Sequence, residues 1–152
     1  MVKWISWSEA DAYRVFRLVH LWNDPTTINA GSTLERLNDR TFRAEEKTVL
    51  FGAKMWIGVP TGYPYEITLS VTRFPIQAWG KPYRADADEI FEFDMHKHAE
   101  GWFSNEKEVW LPKPLLLEKD ETLIVHMKFL NASGSNINSG DYRVTFFIAQ
   151  KE

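Results

Sequence analysis

The chain of 152 residues contains no cysteine, which excludes a disulfide framework, thiolate metal sites and a cysteine nucleophile. No run approaches the ~20 apolar residues of a membrane-spanning helix. The opening MVKWISWSEADAYR lacks the apolar core of roughly 7 to 15 residues that a signal peptide carries. The expectation is therefore a soluble protein made in the cytoplasm, with no membrane partner. Basic residues form no stripe: 18 Lys and Arg stand against 21 Asp and Glu, for a net charge of -3. Binding through phosphate neutralisation needs clustered Lys and Arg, so nucleic acid is not an expected partner. Glycine motifs that cradle phosphates or dinucleotides are missing, as is a GxSxG nucleophile elbow. No repeat with a period of about 20 to 50 residues is present, which argues against solenoids and propellers.

Aromatic residues are plentiful, with seven Trp and ten Phe, and 44% of the chain is hydrophobic, so it belongs with globular rather than disordered sequences. One domain of this length buries roughly 70% of its unfolded surface in a single core. Charge is uneven. Residues 84–108 hold eight acidic against three basic side chains, while residues 1–50 balance seven of each. The acidic stretch reads as a solvated surface.

Residues 48–74 predict two strands meeting at a tight loop: TVLFGAKMWIGV, PTGYP, YEITLSVTRF. In the second, Tyr65, Ile67, Leu69 and Val71 alternate with Glu66, Thr68, Ser70 and Thr72, the period of two expected of a half-buried strand. Further strands are predicted near 89–96, 115–117, 122–130 and 141–150. Leu123, Val125, Met127 and Phe129 mark one buried face, and Tyr142, Val144, Phe146 and Ile148 mark another. Pro112 and Pro114 place LPKP at a sheet edge or strand entry. Trp56, inside a strand, is expected in the core. The loop NASGSNINSG, residues 131–140, is rich in Gly, Ser and Asn and is expected to be flexible and tolerant of shortening.

Residues 1–41 differ from the rest. Ser8 and Asp11 suggest a capped helical start, and Ala12, Phe16, Val19 and Trp22 fall at helical spacing. Val15–Trp22 is also β-rich, with Phe16, Leu18, His20 and Trp22 on one face, so the expectation is a short helical turn running into a strand. Leu34 and Leu37 suggest a helical turn or a loop. The organisation expected is an N-terminal arm or extra strands over 1–41 and a β-sandwich over 42–152. Five aromatics of the first segment, Trp4, Trp7, Tyr13, Phe16 and Trp22, need a surface to cover them. Burying them contributes on the order of 10 kcal/mol, at roughly 1.5 to 3 kcal/mol each. They are the expected subunit interface, with the segment docking on a neighbouring copy.

Many short strands, few helices and long loops define an all-β, jelly-roll-like antiparallel β-sandwich with an N-terminal arm. Over residues 42–152, the succession in KPLLLEKDETLIVHMKFLN of a Pro-led apolar strand, a charged turn and a long strand, then a polar loop and a closing strand, resembles jelly-roll virion proteins. The resemblance is to single jelly-roll capsid, vertex or decoration subunits of bacterial or archaeal viruses. It implies a non-enzymatic protein without a cofactor, located in the virion and acting as a homo-oligomer with other virion subunits.

A carbohydrate-binding β-sandwich is the alternative. Trp79, Trp102 and Trp110, beside Gly, Pro or charged residues, would form its stacking platform for a glycan. A cupin-like metalloenzyme would use His96 and His98, two apart on one strand face, but Glu100 follows too soon and His126 with Asn131 does not supply a second motif. No metal is expected there. Asp86, Asp88 and Glu89 have the oxygen chemistry of a calcium loop without its EF-hand pattern. Glu89, Glu92, Asp94 and Glu100 offer carboxylates without a known separation. Asn131 and Ser133 complete a glycosylation sequon that reads as coincidence in a cytoplasmic product.

Overall fold

The computed structural model describes residues 2–22, 27–37, 41–57, 65–74, 88–97, 106–137 and 142–152. Among the described residues ten strands and one short helix run in the order β1 (Lys3–Trp4), α1 (Trp7–Ala10), β2 (Val15–Trp22), β3 (Thr33–Leu37), β4 (Phe42–Arg43), β5 (Thr48–Ile57), β6 (Tyr65–Phe74), β7 (Asp88–Lys97), β8 (Glu106–Leu117), β9 (Thr122–Asn131) and β10 (Tyr142–Gln150). One sheet has the order β1-β8-β5-β10-β2. The other has the order β3-β9-β6-β7, with β4 also pairing β9. Every pairing is antiparallel.

Setting aside the two-residue strands, eight strands form two four-stranded sheets in which the chain crosses repeatedly from one sheet to the other. The first strand lies beside the last, and the fold is a jelly roll. The core lies between the sheets. Leu50, Ala53, Met55 and Ile57 of β5 and Tyr142, Val144, Phe146 and Ile148 of β10 face Ile67, Leu69 and Val71 of β6 and Leu123, Val125, Met127 and Phe129 of β9. These are the faces that the alternation in β6, β9 and β10 predicts.

The described part of the N-terminal segment takes the form of extra strands, one of the two expected of it. After α1, β2 pairs along its whole length with β10, Trp22 opposite Arg143 through Val15 opposite Gln150. Strand β3 pairs with β9, so Leu34 and Leu37 belong to a strand and not to a helical turn or loop. The described part of residues 1–41 thus gives each sheet a strand. The helix cap is also displaced. Ser6, not Ser8, is the N-cap, and its side chain and that of Glu9 exchange bonds of 3.1 and 3.2 Å with each other's backbone N–H. Four residues of helix need this capping box because so short a turn leaves most of its N–H groups without intrahelical partners.

Three polar features tie the ends of the sandwich. Arg73 continues the inward parity of Ile67, Leu69 and Val71, and its buried guanidinium pairs with Glu121 and Asp88. Glu121 also accepts the Glu118 N–H at 2.7 Å. Asp120, in the turn before it, has φ of 73°, a left-handed conformation that Asp tolerates better than most residues. Its carboxylate accepts from the Arg43 guanidinium at 2.7 Å. Asn131 is buried, and its amide donates to the carbonyls of Ile28 (2.9 Å) and Ser135 (2.8 Å) while accepting from the Ser133 N–H and hydroxyl. Ile28 and Ile137, both buried, form a bridge beside it. The loop over 131–137 is therefore anchored in the core at Asn131 and Ile137, while Ala132, Gly134, Ser135 and Asn136 between them are exposed. The sequon asparagine has no free amide to carry a sugar.

Candidate functional site

The two outer faces of the sandwich are unlike. On the β6 and β9 side, Glu66, Thr68, Ser70 and Thr72 lie with Ile124, His126 and Lys128, a mixed polar surface of the kind that water covers. The outer face of the larger sheet is aromatic. Register sets out its rows across β8, β5, β10 and β2: Trp110, Gly52, Phe147 and Leu18 form one, and Leu116, Val49, Ala149 and Phe16 form the next.

A β-bulge supplies part of this surface. Phe51 has no opposite residue on β10, because Gly52 pairs Phe147 and Leu50 pairs Ile148. The insertion lets Phe51 and Gly52 both lie on the outer side, a re-aiming of a side chain that bulges commonly produce. On β8 the same break is larger. Trp110 pairs Gly52 and Leu115 pairs Leu50, so LPKP is looped out of the ladder, which is where prolines inside a sheet can sit.

Over one end of this face the N-terminal segment forms a second small core. Ile5, Ala10 and Tyr13 cover Val49, Leu116 and Ala149, with Phe51 packed against them. The Lys151 ammonium lies 5.3 Å from the Tyr13 ring centroid. Beside this lid opens a groove of about 870 Å3 whose lining includes Trp7, Tyr13, Phe16, Leu18, Phe51, Trp110 and Phe147. Trp7 stacks on Phe51 with centroids 6.1 Å apart, Phe16 tilts against Phe51 at 6.0 Å, and Trp110 stacks on Phe147 at 4.8 Å. These rings remain open to solvent: Trp7 is 58% exposed, Phe16 72%, Leu18 59% and Trp110 58%. Asp11, Arg14 and Arg17 bring charge into the lining. The Trp110 indole N–H donates to Glu108 at 2.9 Å, and Lys54 pairs with Glu106 at 3.0 Å.

The aromatics singled out from the sequence are thereby sorted. Trp7, Tyr13, Phe16 and Trp110 come together around one groove, although the sequence assigned them to two different roles. Tyr13 is 7% exposed and is covered by its own chain, so it does not need a neighbour. Trp22 lies on the same outer face at the far end of β2, 47% exposed. Trp4 pairs Leu115, a core-facing residue, and so belongs to the opposite side of the sheet edge. Trp56 is not in the core. It lies on the outer face with the Arg143 guanidinium 5.7 Å from its ring. Phe51 and Phe147 were not singled out, and Gly52 inside a strand was the available sign of a bulge.

Trp79, Trp102, Asp86, His98 and Glu100 lie outside the described residues, and His96 is placed only as a backbone position in β7. Among the described residues no cluster of three or more His, Asp or Glu could hold a metal ion. Asp88 is engaged by Arg73 instead, and hydrogen bonding from that guanidinium holds its carboxyl below the ordinary range.

No family model matches the chain, and no curated protein matches it in sequence. Among solved structures it is similar to several of infectious bursal disease virus. The VP2 subviral particle matches at 10% identity and a TM-score of 0.39, over 91% of this chain and 38% of that one. The Gx strain structure matches at 9% and 0.36, over 91% and 37%. The T13 viral particle matches at 11% and 0.33, over 91% and 36%. The chain spans less than two fifths of the length of these chains. Its assignment as a jelly roll rests on its own strand order.

Proposed function

We propose that the protein is a non-enzymatic structural virion protein, a capsid, vertex or decoration subunit of a bacterial or archaeal virus that works by assembling with copies of itself and with other virion subunits. The observation that carries this reading is the outer face of the larger sheet, where Trp7, Phe16, Leu18 and Trp110 stay exposed around one groove while the opposite outer face is polar. Contiguous aromatic surface of this kind on a soluble protein marks a place where something else binds. Aromatic side chains also dominate the energetics of protein interfaces. The jelly roll is a fold used by capsid subunits, although the same fold serves lectins and cupins. The resemblance of its strand pattern to virion subunits supports the first of these uses.

Light scattering on the purified chain over a range of concentrations tests the reading, run beside a glycan array. Concentration-dependent growth into a defined oligomer or particle is the expected result. A chain that stays monomeric throughout and binds a sugar would overturn it in favour of a carbohydrate-binding module, with Trp110 part of the platform.

A further inference from the structure

We infer that strand β2 is the edge through which two copies of this chain join, pairing antiparallel about a two-fold axis so that their larger sheets become continuous. This rests on the assembly reading and names the surface that it uses. Among the described residues four edges end the two sheets: β1 with the part of β8 that it leaves unpaired, β2, β3 with β4, and β7. An open edge presents a row of backbone N–H and C=O groups that will accept another strand, and proteins normally blunt such edges by shortness, charge or proline. Three of the four are blunted. Strand β1 has two residues and the open part of β8 carries Glu106, Lys107, Glu108, Pro112 and Pro114; β3 has five residues with a Glu and an Arg among them and β4 has two; and β7 carries Asp88, Glu89, Glu92 and Asp94.

Strand β2 has none of these devices. Its eight residues, VFRLVHLW, include no proline, no acid and one arginine. Val15, Phe16, Leu18 and Trp22 are exposed on it, and among the described residues only β10 pairs with it. The occupant that fits such an edge is an extended strand without acid or proline, and the strand of that character left open by the described residues is β2 of another copy.

The sequence of β2 is also self-complementary. With Val19 on the axis, Phe16 falls opposite the partner copy's Trp22 and Leu18 opposite its His20, each twice by symmetry. Arg17 then faces Leu21, and no cation faces a cation. An axis at Arg17 or His20 would set like side chains against each other. An isologous contact of this kind closes on itself after two copies, and the cross-strand aromatic pairs are of the type that stabilise antiparallel sheets.

The chain has no cysteine of its own, so single cysteines report contacts cleanly. Val19→Cys and Leu18→Cys are made separately, with Glu66→Cys on the polar outer face as a control, and each is oxidised with diamide and run without reductant. Residues opposite or nearly opposite at a two-fold strand pair come within disulfide reach. The expected result is a species of twice the monomer mass from Val19→Cys, with at least tenfold less from Glu66→Cys. Dimer from Leu18→Cys alone would also support pairing at this edge, with the axis one residue away. If the wild type assembles by light scattering while neither edge variant cross-links above the control, the edge inference falls and the assembly reading stands. A wild type that never assembles overturns both.

Discussion

The indole of Trp110 lies so closely over Gly52 that a Cβ at Gly52 would sit 2.9 Å from its Cε3 and 2.8 Å from the Val109 carbonyl oxygen. The absent side chain is what allows Trp110 to reach across β5 and stack on Phe147. Neither contact can yield easily, because Val109 is fixed by its own pairing with Ala53.

Gly52→Ala should therefore lower stability by about 1 to 3 kcal/mol, the usual cost of forcing extra volume into a packed site. Urea denaturation measures the loss, and near-ultraviolet circular dichroism should show the Trp110–Phe147 pair disturbed. A midpoint equal to that of the wild type would mean that the bulge relaxes freely.

Arg73→Met should be more damaging, at roughly 3 to 5 kcal/mol, because it strands the Glu121 carboxylate in a buried position. Adding Glu121→Gln should recover part of that loss, since the second change removes the uncompensated charge. Equilibrium unfolding of the two single variants and the double variant gives the coupling between them.

Acid should act on the same cluster through Asp88. Its carboxyl is held below the ordinary range by the hydrogen bond from Arg73, so its stabilising contribution is complete above the unfolded value of about 3.9 and is lost as pH falls through the lowered one. The difference in stability between wild type and Asp88→Asn should be constant from pH 7 to about 4.5 and shrink below about 4. Denaturation series at each pH read this directly.

Asn131→Ala should cost about 1 to 3 kcal/mol by removing one of two donors from each of the Ile28 and Ser135 carbonyls and the acceptor of the Ser133 N–H. Deleting residues 132–137 should be far worse than loop-closure entropy alone predicts, because Ile137 leaves the core with them. Thermal melts of the two variants test the claim. An unchanged melting temperature for the deletion would restore the picture of a slack loop.

Removing residues 1–40 should abolish folding, since the cut takes away β2 and β3 and uncovers the core residues that Leu21 and Ile28 protect. Circular dichroism of the truncated chain, with no cooperative melt, is the expected outcome. A cooperative β-rich domain after that cut would show that the remaining strands close a sandwich alone.

The parts of the fold legible in the sequence are those where period-two alternation is long and clean. Leu123 through Phe129 and Tyr142 through Ile148 reveal their buried faces because one side of each strand is core and the other is wet. Arg73 was legible by the same parity, but its charge hides that it continues the inward row. The bulge at Phe51 was not, because a strict alternation has no place for an inserted residue. Leu34 and Leu37 belong to a five-residue strand too short for periodicity to speak. The groove was only half legible: Trp7, Phe16 and Trp110 announce themselves as aromatics needing explanation, but their meeting depends on pairings between distant strands, which no local pattern encodes.

The adjacency of β2 and β10 also sets a timetable. Trp22 is made about 120 residues before its partner Arg143, and at a synthesis rate of about 5 to 20 residues per second the wait is roughly 6 to 24 s. Closing so distant a pair is intrinsically slow, as in other sandwiches dominated by non-local contacts. Throughout that interval the most apolar strand of the first segment is extended, unpaired and sticky on a ribosome whose neighbours are making the same chain.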